Sequence, residues 1–303
     1  MKPMIFLFNP RSGREQIKNQ LSGILDCFCK NGYFPSVYVT QNAEDAERIA
    51  REYGDKTELF VVSGGDGTLN QVVSGLMKNS KRPVLGYLPS GSTNDYARSL
   101  KISGDMLQSA QTAMCGTANH VDIGRFGEEK YFVYIAAFGA FTEVSYMTPQ
   151  DIKNILGHQA YILESVKHLA SLKSQKMKIE WENGAAEGEF IYGMVTNTTS
   201  VGGFKGLVPR DVSFNDGAFE ALFIKTPKTP TDLSKIVSYM FLKEEENEYV
   251  FRFRTSRMKV TAENEVPWVL DGEFGGAVKE VVIENLPEAI ALRCGDKLSQ
   301  GEE

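Results

Sequence analysis

Apolar positions follow two regimes along the chain. Up to about residue 116, short apolar runs alternate with stretches of helical spacing. "PMIFLFNP" reads as a strand that stops at Pro10. Ile17, Leu21, Ile24, Leu25 and Phe28 then recur at helical intervals, and Asn31-Gly32 ends that face. "SVYVT" is strand-like to Thr40, and Ala43, Ala46, Ile49, Ala50 and Tyr53 form a second helical face closed by Gly54. "ELFVVS" is the third strand, with Val72, Val73, Leu76 and Met77 on one side of the helix after it. "PVLGYLP" is the fourth, followed by a short helix from about Asn94. This alternation predicts a parallel sheet with right-handed crossovers and helices on both faces.

Beyond Gly116 the period shortens. "HVDIGRFGEEKYFVYIAAFG" reads as two strands around a turn. A long helix is expected from about Pro149 to Leu172, on Ile152, Ile155, Leu156, Tyr161, Ile162, Val166 and Leu169. "KMKIEWE", "GEFIYGMVTN", "FEALFIK", "YVFRFRTSRMKVTA", "VPWVLDGEF" and "KEVVIENL" then alternate with period two, which predicts a strand-rich sandwich or open barrel. The expectation is therefore α/β plus β, with residues 1–125 as one domain and 126–287 as another. The closing "AIALRC" suits a strand of either.

A length of 303 residues accommodates two cores, and 42% hydrophobic with 24% charged residues is ordinary for a soluble globular protein. The net charge of -6 argues against nucleic acid as a partner. The longest apolar run, Tyr131 to Phe141, is too short to span a bilayer, and the N-terminus reads as a strand, not a signal peptide. Cys27, Cys29, Cys115 and Cys294 form no CxxC pair and there is no HxxxH, so a zinc site is not expected. Reduced thiols in a cytoplasmic protein are.

Chemistry should gather where the parallel strands end. The first ends in "NPRSG", the second at Thr40, the third in "SGGDGT" and the fourth in "PSGSTND". Gly64, Gly65 and Gly67 permit positive φ and close approach to a ligand, and Thr68 is placed to cap the following helix. Successive N–H groups there suit phosphate, although the stretch is neither a Walker loop nor GxGxxG. The same residues also suit a tight structural turn. Asp66 would repel phosphate unless a cation intervened, and Mg2+ held by Asp66 and Asp95 answers that. Alone, Asp95 would be a helix cap beside Asn94.

"FNPRSG", "GGDGTLN", "LPSGSTNDYAR", "VSFNDGAFEALFI" and "LDGE" stand in the order and spacing of the lipid kinase superfamily of diacylglycerol, sphingosine and ceramide kinases. The chain most resembles the soluble bacterial diacylglycerol kinase branch, over essentially its whole length. The resemblance implies a Rossmann-like N-terminal domain akin to NAD kinases and phosphofructokinases, a β-rich C-terminal domain for the lipid, and a chain end (about 288–303) that returns to the first domain.

It also implies roles. Asn9, Pro10, Arg11, Ser12, Thr40, Gly64, Gly65, Asp66, Gly67, Thr68, Asn70, Gly91, Ser92, Thr93 and Asn94 would bind ATP. Asp66, Asp95 and Asp122 match an acidic, water-linked network around the catalytic Mg2+, though Asp122 alone reads as an exposed strand residue. Glu273 matches the general base, where Asp271-Gly272 alone reads as a hairpin turn. Asp216, with the carbonyls of Ser213 and Ala218, matches a second, structural Mg2+ site, where Asn-Asp-Gly alone reads as a turn. Ser92 replaces a common threonine and keeps the hydroxyl, while Phe138 stands where a small residue is frequent and bears on the acceptor pocket.

The implied activity is transfer of the γ-phosphoryl of ATP to a lipid alcohol, diacylglycerol first, by a cytoplasmic enzyme peripheral at the membrane. Lys153, Lys167 and Lys173 in the Pro149 to Ser174 stretch could meet a membrane or simply be solvated. Edge strands of the second domain could pair in a homodimer. Two alternatives are an NAD kinase-like enzyme for a soluble acceptor and a non-catalytic nucleotide- or lipid-binding regulator.

Overall fold

The computed structural model describes residues 1–13, 17–139, 173–199, 212–229, 231–233, 235–236, 239 and 248–296. The expected helix at 149–172 lies outside them.

Four strands open the chain: β1 (Lys2–Phe8), β2 (Tyr33–Val39), β3 (Leu59–Gly64) and β4 (Val84–Pro89). They pair in parallel in the order β2-β1-β3-β4. Side chains alternate across a strand, so β1 serves two layers. Met4, Phe6 and Phe8 pack with Ile24 and Phe28 of α1 (Ile17–Lys30) and with α5 (Met106–Cys115). Ile5 and Leu7 pack on the other face with Ile49 of α2 (Asp45–Tyr53) and Val72, Val73 and Leu76 of α3 (Asp66–Met77). Both faces are thereby covered, as the apolar runs required.

α4 (Asp95–Ser99) follows β4. α5 has no counterpart in the sequence reading. Its inward positions include Ser109, Ala110 and Ala113, small residues that give little hydrophobic contrast. Its start is nonetheless capped, because the Asp105 carboxylate accepts from the N–H groups of Leu107 and Gln108.

The remaining strands are β5 (Thr117–Phe126), β6 (Lys130–Phe132), β7 (Ile135–Gly139), β8 (Gln175–Trp181), β9 (Gly184–Thr196), β10 (Phe219–Lys225), β11 (Val250–Thr255), β12 (Arg257–Leu270) and β13 (Glu273–Cys294). Among the described residues all thirteen strands join one sheet. β13 is its spine. Its start pairs antiparallel with β12, and its end pairs antiparallel with β5 and in parallel with β4 at Leu292↔Leu85. The strand-rich half has its own aromatic core, with Phe132, Phe138, Phe190, Phe219, Phe223 and Trp268 fully buried.

Candidate active site

Because β1, β3 and β4 lie side by side and run the same way, the loops after them meet at one edge of the sheet. The Asn9 N–H donates to the Ser63 carbonyl at 2.9 Å, and that of Ser90 to the Gly64 carbonyl at 2.8 Å. Asn9 Nδ2 reaches Thr68 Oγ1 at 3.3 Å, while its Oδ1 accepts from the Arg11 N–H at 2.9 Å. The turn through Pro10 closes with Ser12 N–H on the Asn9 carbonyl at 3.3 Å. Thr40 is buried, its N–H on the Phe8 carbonyl at 3.1 Å. Asn94 folds back on Gly91, donating to its carbonyl at 2.8 Å and accepting its N–H at 2.9 Å, which leaves Ser92 and Thr93 exposed at the loop tip.

Two expectations about the glycine loop are corrected. Gly64, Gly65 and Gly67 all lack positive φ. What is used is their size: a Cβ on Gly91 would lie 2.6 Å from Gly65 Cα, so the β3 and β4 loops touch backbone to backbone. Thr68 does not cap α3. The N-cap is Gly65, without a side-chain bond, and the Thr68 hydroxyl serves Asn9 instead.

Asp66 opens α3 and points at α4. Its Oδ2 accepts from the Asp95 N–H at 3.1 Å, and the carboxylate also accepts from the Tyr96 N–H. Its Oδ1 is buried without a hydrogen-bond partner. Burial raises its pKa to about 7, with the neighbouring Asp95 and Asp271 charges adding to the rise. Asp95 is itself 2% exposed. An orphaned carboxylate oxygen beside a second buried aspartate suits a hard divalent cation that completes its shell with phosphate and water. Among the described residues no three His, Cys, Asp or Glu side chains converge as a metal cage.

Asp122 is held by a different set of donors. Its carboxylate accepts from the N–H groups of Gly217 and Glu288, each at 2.8 Å, and from Asn285 Nδ2 at 3.2 Å. It is fully buried, not exposed, and burial pushes its pKa up. It thus ties the 212–218 loop to β13. The buried ring of Tyr96, next in sequence to Asp95, stands edge-on to Phe214 of that loop at 6.3 Å. In the 212–218 loop, both oxygens of Asp216 are engaged. Oδ1 accepts from the Ala218 N–H at 3.1 Å, and Oδ2 pairs with Arg254 Nη2. Ser213 is buried beside it, its hydroxyl on Asn215 Oδ1 at 3.3 Å.

The β12–β13 hairpin delivers Glu273. Asp271 and Gly272 both take positive φ, as a two-residue turn of this hand requires, and Leu270 pairs with Glu273 across it. A Cβ on Gly67 would lie 2.8 Å from Glu273 Oε1, so this carboxylate from the far end of the chain rests on the glycine loop.

Asp271 is the residue that sequence reasoning passed over as a turn former. It is 3% exposed, and its carboxylate accepts from the N–H groups of Val133, Tyr134 and Ile135 at 2.6, 3.0 and 3.0 Å. Asn70 Nδ2 supplies a fourth bond at 2.7 Å. Burial raises its pKa to about 6 against the pull of those donors, all four of which favour the ionised form. Asp-Gly marked the turn in the sequence, but nothing marked the nest of N–H groups waiting for the side chain.

The diacylglycerol kinase catalytic domain family matches residues 3–126. A diacylglycerol kinase of Bacillus subtilis (strain 168) is 38% identical over 280 residues, 91% of each chain. One of Staphylococcus carnosus (strain TM300) is 32% identical over 272 residues, 89% of this chain and 88% of that one. A solved Bacillus anthracis str. Sterne structure, described as a diacylglycerol kinase, superposes with a TM-score of 0.75 at 20% identity, covering 97% of both chains. Another from that organism reaches 0.79 at 23% identity, again over 97% of both.

Proposed function

The chain belongs to the diacylglycerol kinase family, and on that premise we propose how its residues divide the work. It is a lipid kinase, a phosphotransferase with an alcohol acceptor and ATP as donor. The acceptor is the free hydroxyl of diacylglycerol and the product phosphatidic acid.

The touching loops hold ATP. Asn9 to Ser12, Thr40, Gly64 to Thr68, and Gly91 to Asn94 surround the phosphates and base, with Asn70 bracing α3 from behind. Asp66 and Asp95 would hold Mg2+, which supplies neutralisation of phosphate charge when bound. Glu273 accepts the hydroxyl proton as the lipid oxygen bonds to the γ-phosphorus and the bond to the β-phosphate oxygen breaks, releasing ADP. Asp122 supports this centre from the β13 side. Positioning supplies much of the rate, and the rigid turn at Asp271 aims the base.

The observation that carries the reading is the Glu273 carboxylate against Gly67 of the phosphate loop. It brings a proton acceptor to the loop that would cradle the transferred phosphoryl group. The parallel β2-β1-β3-β4 sheet supports a Rossmann-like first domain of the NAD kinase and phosphofructokinase kind, residues 1–125. Residues 126–287 form the acceptor domain, and the Leu292↔Leu85 pairing supports return of the chain end to the first. Among the described residues no helix is long and apolar enough to cross a membrane. The enzyme then works from the cytoplasmic side at the lipid surface, and a homodimer through edge strands is testable by sedimentation.

The deciding assay gives purified protein Mg-ATP with detergent-dispersed diacylglycerol, other lipid alcohols, or NAD, and identifies products by mass spectrometry. Phosphatidic acid is expected. Phosphorylated NAD with no lipid product would overturn the assignment.

A further inference from the structure

β10 and β11 are antiparallel neighbours, and their register sets Glu220 directly opposite Arg254. Glu220 is 6% exposed, and its Oε1 lies 3.5 Å from Arg254 Nε. Its other oxygen, Oε2, is buried with no hydrogen-bond partner, so the guanidinium is the cation at hand to offset this charge. The same guanidinium pairs through Nη2 with Asp216. One arginine therefore bridges two carboxylates, and the remaining Asp216 oxygen is already taken by the Ala218 N–H.

The resemblance to lipid kinases implied a divalent cation on Asp216 and the carbonyls of Ser213 and Ala218. The donor set here does not fit one. A divalent ion bound at Asp216 would displace the guanidinium or sit against its positive charge, and stripping Arg254 away would leave Glu220 buried and unanswered. The contrast with Asp66 lies in the aspartates themselves: one Asp66 oxygen stands orphaned, whereas each Asp216 oxygen has a partner, and the orphaned Glu220 Oε2 belongs to a carboxylate already paired with the same guanidinium.

We propose that Arg254 takes the place of the second cation in this chain, its planar fork closing the 212–218 loop on β10 and β11 without metal. The fork shape is what permits this, since a guanidinium presents donors in two directions where an ammonium is a point charge. The closed loop matters to its surroundings. Its Gly217 N–H donates to Asp122 at 2.8 Å, and its Phe214 packs on Tyr96, next in sequence to Asp95.

The inference concerns cation content and holds whichever lipid is the acceptor, so it is tested without ATP or lipid. Melting of the full chain is followed in EDTA and in MgCl2 for wild type, Asp216→Asn and Arg254→Met. Any shift that Mg2+ gives the wild type is expected to be equal in D216N, because the ion binds elsewhere. R254M is expected to melt at least about 3 °C lower than wild type in EDTA, the scale of roughly 1 kcal/mol in a domain of this size. A Mg2+ shift present in the wild type and lost in D216N would place a cation on Asp216 and overturn the proposal. Wild-type melting of R254M in EDTA would equally overturn it. If R254M does not fold, Arg254→Lys keeps the charge but cannot bridge both carboxylates, and its undiminished melting temperature would have the same consequence.

Discussion

Asn70 Nδ2 donates to Asp271 Oδ2 at 2.7 Å and to the Tyr131 carbonyl at 2.9 Å, joining α3 to the hairpin that carries Glu273. Both amide hydrogens are committed, so this residue of the nucleotide-side helix acts as a strut between the two halves. Asn70→Ala removes one of four donors from a buried carboxylate, which should cost about 1–3 kcal/mol. Asn70→Asp should cost more, because it sets a second carboxylate against the first. Urea unfolding ranks the two, and N70D matching N70A would refute the ionised Asp271 that this ranking assumes.

Glu273→Gln keeps the side-chain shape and removes the proton acceptor. Turnover should fall by roughly 10²–10⁴-fold, the range for loss of a general base, while ATP binding stays as in wild type. Stability should barely change, since Glu273 is exposed. Initial rates with a lipid acceptor, alongside nucleotide titration, separate the two quantities. Near-normal turnover would remove Glu273 from its role.

Much of this was readable in the residues. The parallel first half followed from period and breakers: strands ending at Pro10, Thr40, Gly64 and Pro89 forced their loops to one edge. What could not be read depended on distant backbone. Asp271 looked like any Asp-Gly turn, because its partners are N–H groups of residues 133–135, far off in sequence. The positive φ expected of the glycine loop failed for a related reason: small size was needed for Gly91 and Glu273 to come close, and that need appears only once the loops are assembled. Glu220 and Arg254 alternated like ordinary strand residues until register set them opposite each other.

Asp66 predicts a pH dependence. Its folded pKa, about 7, lies above the ordinary aspartate value, so the folded chain binds its proton more tightly than the unfolded one. The resulting stability is present in full below about pH 4 and is lost as pH rises through 7. A rise of that size corresponds to roughly 4 kcal/mol at most. In EDTA, wild type should therefore weaken relative to Asp66→Asn between pH 4 and pH 7. Protons also compete with Mg2+, so the Mg2+ concentration for half-maximal rate should rise about tenfold per pH unit below 7. A parallel pH profile in D66N would contradict the assignment.

Two glycine substitutions should separate the base from the cradle. The Cβ of Gly67→Ala meets Glu273 Oε1 at 2.8 Å, the mobile end of an exposed side chain, which can move aside. Folding should survive, and the displaced base should lower kcat about tenfold or more with KM for ATP nearly unchanged, because a small misplacement of a reacting group is costly. The Cβ of Gly91→Ala instead meets Gly65 Cα at 2.6 Å, backbone that cannot yield without moving a whole loop. That variant should raise KM for ATP and lower the melting temperature together. Steady-state kinetics and thermal melts on the pair provide the check. If G67A raised KM for ATP as much as G91A while leaving kcat intact, Gly67 would belong to nucleotide binding alone and Glu273 would not be acting across it.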